Sequence, residues 1–72
     1  MSEQQKNVEN LRAVREALVK RRREKASIAA TSDSLGTIKV VIELQQQIEI
    51  IDRAISDELK EFDPEVWKKV FG

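Results

Sequence analysis

The sequence contains no cysteine, no histidine and no tyrosine, and only one proline, one tryptophan, two glycines and two phenylalanines. Without cysteine there is no disulfide, and without cysteine or histidine a zinc site has no soft ligands to draw on. No metal and no cofactor is therefore expected. Nucleophilic catalysis is equally poorly supplied: there is no His, Cys or Tyr chemistry and no Gly-rich phosphate loop, and Ser32 and Ser34 have no neighbouring base to activate them. The sequence predicts a protein that is not an enzyme.

Long apolar runs are missing as well. No stretch approaches the roughly 20 uncharged apolar residues of a membrane span, and the first ten residues are polar, without the apolar core of a signal peptide. The expectation is a soluble, cytoplasmic protein with no membrane partner, and the lack of cysteine is compatible with a reducing compartment.

Seventy-two residues make a single domain, 1–72, and a chain this short buries a smaller fraction of its surface than a longer one. Small domains compensate with disulfides, a structural metal or association. With the first two removed by composition, association remains. Formal charge is zero, yet the two halves differ: residues 1–31 carry eight Lys or Arg against four Glu, a net +4, and residues 32–72 carry five against nine acidic groups, a net −4. The halves are electrostatically complementary, which favours packing them together over a uniformly nucleic-acid-seeking surface.

What the chain does have is helical periodicity. Ile38, Val41, Leu44, Ile48, Ile51, Ile55, Leu59 and Phe62 recur every three or four residues, the spacing of an amphipathic helix over 38–62. Residues 3–30 contain no proline or glycine and are rich in helix formers, predicting a first helix. Its apolar stripe is Val8, Leu11, Val14, Leu18 and Ile28, widened by Ala17 and Ala29 and interrupted by Arg21 and Lys25. Between the two helices, 31–37 reads TSDSLGT, a turn in which Ser32, Asp33, Ser34 or Thr37 can cap the second helix. So short a connection makes the helices antiparallel neighbours.

Beyond Phe62, the order Asp63-Pro64-Glu65 writes a new helix start, with Phe62 and Trp67 at the staple positions, so a short helix is predicted over 64–71. The fold class expected is all-α: an antiparallel helical hairpin plus a short C-terminal helix. The second helix is too broadly apolar for the interrupted first helix to cover. Two hairpins associating as a homodimeric four-helix bundle, with coiled-coil-like packing, would repair this. Self-association is expected to use Val41, Leu44, Ile48, Ile51, Ile55, Leu59 and Phe62.

Four polar or aromatic groupings stand out. Antiparallel alignment about a turn near residue 33 sets residue i opposite roughly 66 − i. Arg21 then falls beside Gln45, within the run Gln45-Gln46-Gln47, and the pair is expected to form a polar layer that fixes register and partner choice. Lys20, Arg22 and Arg23 belong to a basic collar spanning 20–25; they are candidate phosphate contacts, although consecutive helical residues step around the axis and a solvated charged turn is the favoured reading. Asp57, Glu58, Glu61, Asp63 and Glu65 make an acidic cluster with no EF-hand spacing, read as a solvated face. Val66, Trp67, Val70 and Phe71 form an aromatic tail that either caps the bundle or meets a partner.

The functional expectation is a non-enzymatic protein–protein interaction module, a self-associating helical hairpin acting as adaptor, small regulator or accessory protein. Its first partner is a second copy of itself, and a larger protein is a further candidate. The alternative is a nucleic-acid-binding regulator that uses the basic collar on the same dimeric bundle.

Overall fold

The computed structural model describes residues 3–32 and 34–62, without the side chains of residues 61 and 62. The short helix expected over 64–71, with Val66, Trp67, Val70 and Phe71, lies outside the described residues, as do Asp63, Glu65 and the side chain of Phe62. Two helices account for the described residues: α1, Glu3–Ser32, and α2, Leu35–Phe62. They pack against each other as an antiparallel hairpin. Cross-helix contacts at Arg15–Asp52 and Arg22–Gln45 both sum to 67 in residue number, which fixes the register one step from the turn-centred expectation of 66.

The connection is tighter than seven residues. Helix α1 runs on to Ser32, where the hydroxyls of Thr31 and Ser32 donate back to the carbonyl oxygen of Ile28 at 3.0 and 2.7 Å. Ser34 then caps α2. Its carbonyl accepts from the Ile38 amide at 3.0 Å and its Oγ from the Thr37 amide at 3.4 Å, the N-cap arrangement in which a side-chain oxygen takes up an otherwise unpaired amide of the first turn. Of the four cap candidates, Ser34 therefore occupies the cap, and Thr37 supplies one of the amides it satisfies.

Gly36 lies inside that first turn, and a Cβ built there would approach only Ser34 Oγ, at 3.7 Å, an ordinary contact. Helix geometry without obstruction makes glycine a pure entropic cost at this position. Gly36→Ala is expected to stabilise the protein by about 0.5–1 kcal/mol, read as a higher midpoint in thermal unfolding.

The inner face of α1 follows a strict alternation of four and three: Gln4, Val8, Leu11, Arg15, Leu18, Arg22, Lys25 and Ala29, none of them exposed. Helix α2 answers with Thr37, Val41, Leu44, Ile48, Ile51, Ile55 and Glu58, all at least half-buried. Four-three spacing averages 3.5 residues, the repeat that keeps one stripe of each helix facing its partner. Two residues of the expected α1 stripe are not on it: Val14 is 46% exposed and Ile28 48%. The continuous apolar stripe of α2 sets the contact line, and α1 meets it with long basic side chains whose hydrocarbon stems lie on apolar surface while their charged heads reach water.

The resulting core is thin. Val8, Leu44 and Ile48 are the only buried hydrophobic residues among those described, and Ile48, at 2% exposure, is the most enclosed. Two helices side by side make a single layer, with the seam as its only apolar contact line among the described residues.

Candidate interaction surface

Helical geometry divides the hairpin into a seam and two flanks, because residues step about 100° around each axis. On one flank α1 presents Arg12, Glu16, Val19 and Arg23 beside Gln45, Glu49 and Asp52 of α2. This side is polar. The guanidinium of Arg15 forms a fork there, with Nε donating to Oδ1 and Nη2 to Oδ2 of Asp52. One turn-pair further along, Arg22 Nη1 donates to Gln45 Oε1 at 2.6 Å, and Gln45 Nε2 donates to Glu49 Oε1 at 3.4 Å. Between these contacts lies an open groove of ≈ 590 Å³, lined by Arg12, Arg15, Glu16, Val19, Arg23 and Asp52 with Ile55 at its floor.

Solvent limits what this polar flank contributes to stability. The side chains of Arg15 and Asp52 remain 44% and 47% exposed, and pairs of that kind are worth about 0–1 kcal/mol. Their value is orientational: two specific cross-helix bonds at one register disfavour sliding of α1 along α2. The collar residue that reaches Gln45 is Arg22, while Arg21 is exposed on the opposite side of the seam. The shift from Arg21 to Arg22 follows from the one-step difference in register and from the rotation of α1 that places Arg15 and Arg22 on the contact line.

The other flank is apolar. Leu11, Val14 and Leu18 project on this side of α1, and Val40, Leu44, Ile51 and Ala54 on the same side of α2; Gln47 interrupts them on α2, and Asn7 and Arg21, seven residues either side of Val14, bound them on α1. Leu44 is buried by the seam, Val14 is 46% exposed, and the others except Gln47, Asn7 and Arg21, which are exposed, are half-buried. Three further hydrophobic residues of α2 stand on its outer face, Leu35 at 82%, Ile42 at 53% and Ile50 at 61% exposure, separated from one another by charged or amide side chains. The residues expected to self-associate divide accordingly. Val41, Leu44, Ile48 and Ile55 line the seam with α1, Ile51 lies at its apolar edge, and Leu59 is half-buried near the end of α2. What the hairpin leaves open is the surface beside the seam, and Val14 is its centre on α1. Val14 belongs to the expected apolar stripe of α1, but α2 does not cover it.

The remaining charged groups do not converge. Lys20 and Arg23, three residues apart, share an exposed side of α1, but Arg22 is turned to the seam and engaged with Gln45, so the three do not share a face. Asp57 is exposed and Glu58 half-buried, and among the described residues no three Asp, Glu, His or Cys side chains are placed to hold a metal ion. Likewise, no helix among the described residues is long and apolar enough to cross a membrane. Compared with protein-family models, curated proteins and solved structures, the chain matches none of them.

Proposed function

We propose that the protein is a non-enzymatic interaction module whose apolar flank, Leu11, Val14 and Leu18 with Val40, Leu44, Ile51 and Ala54, packs against the same flank of a second copy to form a homodimeric four-helix bundle. In this reading it works as an adaptor, small regulator or accessory protein in the cytoplasm. The observation that carries the proposal is the uncovered flank: among the described residues only Val8, Leu44 and Ile48 are buried hydrophobics, and Val14 stays 46% exposed between the half-buried Leu11 and Leu18.

A second copy suits that surface because its shape and chemistry are already matched to it. The flank is a single-layer face of two helices, and stacking two such faces gives every helix two neighbours, the arrangement of a four-helix bundle. Each half-buried Leu or Ile that becomes fully covered adds a share of the ~1.5–3 kcal/mol its complete burial is worth. The polar flank, with its Arg15–Asp52 and Arg22–Gln45 bonds, stays on the outside and keeps the bundle from growing further.

Folding coupled to association makes stability depend on concentration. Thermal unfolding followed by circular dichroism over a hundredfold range of protein concentration is expected to show a midpoint that rises by several degrees. A midpoint independent of concentration, with a full helical signal, would rule out obligate association.

A further inference from the structure

We infer that the two hairpins of the dimer pack with their turns at the same end, so that α1 of each chain lies against α2 of the other and Arg21 meets Glu43 of the partner subunit. This inference rests on the self-association proposed above and assigns its symmetry. Two-fold stacking of apolar flanks has two solutions. With the axis parallel to the helices, the turns coincide and α1 faces the partner's α2. With the axis across the helices, the turns lie at opposite ends and like faces like, α1 on α1 and α2 on α2.

Charge separates the two. Helix α1 carries eight Lys or Arg against four Glu, and α2 carries three against six Asp or Glu. Bringing each cationic helix onto an anionic one is favourable, while α1 on α1 and α2 on α2 pairs like with like.

The edge of the apolar flank repeats this pattern locally. On α1 Arg21 continues the line of Val14, seven residues on, and on α2 Glu43 stands in line with Ile50 at the outer border of the flank, and both are exposed. Among the described residues neither is taken up by an ion pair within the chain. Register places Arg21 level with Gln46, three residues from Glu43, which is about 4.5 Å along the axis. Within one hairpin the two side chains diverge, each pointing out of the layer over its own helix. A parallel two-fold axis lays α2 of the partner over α1 at the same level. Arg21 and Glu43 of the partner subunit then meet twice, once at each edge of the interface.

The absence of cysteine gives a direct test. Leu35, 82% exposed in the first turn of α2, is replaced by cysteine in the full chain and carries a nitroxide label. The distance between the two labels of a dimer is then read by double electron–electron resonance, with the mass measured on the same sample. Turns at the same end place the labels within about 30 Å, the width of the bundle plus the label arms. Turns at opposite ends separate them by the ~42 Å length of a 28-residue helix or more. A dimeric mass with a distance beyond 40 Å overturns the arrangement and leaves self-association standing, whereas a monomeric mass overturns both.

Charge exchange tests the named contact. Arg21→Glu and Glu43→Arg are each expected to raise the dimer dissociation constant about tenfold at low salt, since two edges are disrupted in each dimer, and the double exchange to restore it. Arg21→Glu combined with Asp57→Arg, which corrects net charge on the same line of α2 as Glu43 but about 21 Å away along the axis, is expected not to restore it. Equal rescue by both combinations would overturn the contact.

Discussion

Ile48→Ala is expected to lower stability by about 2–5 kcal/mol, the largest effect of any single truncation in the hairpin. Ile48 is 2% exposed and sits in the middle of α2, level with Val19 on α1, so its side chain meets the seam from both directions along the helix. Removing it forfeits the transfer energy of three carbon atoms and leaves a cavity that two helices held at one register cannot fully close. Only two other hydrophobic side chains among the described residues are buried, Val8 and Leu44, so no larger core absorbs the loss. Ile42→Ala provides the contrast. At 53% exposure on the outer face, it is expected to change stability by no more than about 0.5 kcal/mol. Urea unfolding of the two variants at one concentration measures the difference, and similar midpoints would mean that the seam does not run through Ile48.

The second large effect concerns association. Val14 and Ile42 have nearly the same exposure, 46% and 53%, but stand on different surfaces: Val14 at the centre of the apolar flank, Ile42 on the outer face of α2. Glutamate is tolerated on an exposed helical surface, so neither substitution removes a contact within the hairpin itself. Val14→Glu, however, places a carboxylate between two apolar faces, once from each chain. Burying an unpaired charge costs several kcal/mol even after relaxation, so the dimer is expected to weaken by more than a hundredfold, about 3 kcal/mol or more. Ile42→Glu is expected to leave the dissociation constant within a factor of three. Size-exclusion elution of the two variants across a dilution series distinguishes them directly. The comparison holds whether the turns lie at the same end or at opposite ends, because Val14 is covered in both.

These expectations show where the sequence was transparent and where it was not. The all-helical hairpin and the dominant role of α2 were legible because Leu44, Ile48, Ile51 and Ile55 repeat at helical spacing without a charged interruption. The inner face of α1 was not. Three of its eight seam positions are Arg15, Arg22 and Lys25, and a reading that looks for hydrophobic side chains passes over them in favour of Val14 and Ile28. A long basic side chain can occupy a seam because its stem is apolar, a property invisible to a hydrophobicity count. The clue that could have found it is the strict four-three alternation continuing from Gln4 through Val8, Leu11 and Leu18 to Ala29, which leaves only Arg15, Arg22 and Lys25 to complete the repeat.

The break between the helices is shorter than the segment TSDSLGT for a related reason. TSDSLGT is rich in residues that end or start helices, and each was counted as breaking structure. Thr31 and Ser32 instead sit in the last turn of α1 with their hydroxyls bonded back to the Ile28 carbonyl, and Leu35, Gly36 and Thr37 are already helical behind the Ser34 cap. Residues that favour helix ends are compatible with the terminal turns themselves, so the break contracts around the cap.

Arg22 replaces Arg21 as the partner of Gln45 through the same logic. A one-residue change of register rotates the contact by about 100° on the helix, enough to exchange which arginine of the collar faces α2. That exchange frees Arg21 for the edge of the apolar flank, where it becomes available to a second chain.

The most direct test of self-association is the mass of the unmodified protein by sedimentation equilibrium at micromolar concentration. A single species of about twice 8.3 kDa is expected, reversibly diluted to monomer. A species of 8.3 kDa that remains fully helical and cooperatively folded at that concentration would contradict it.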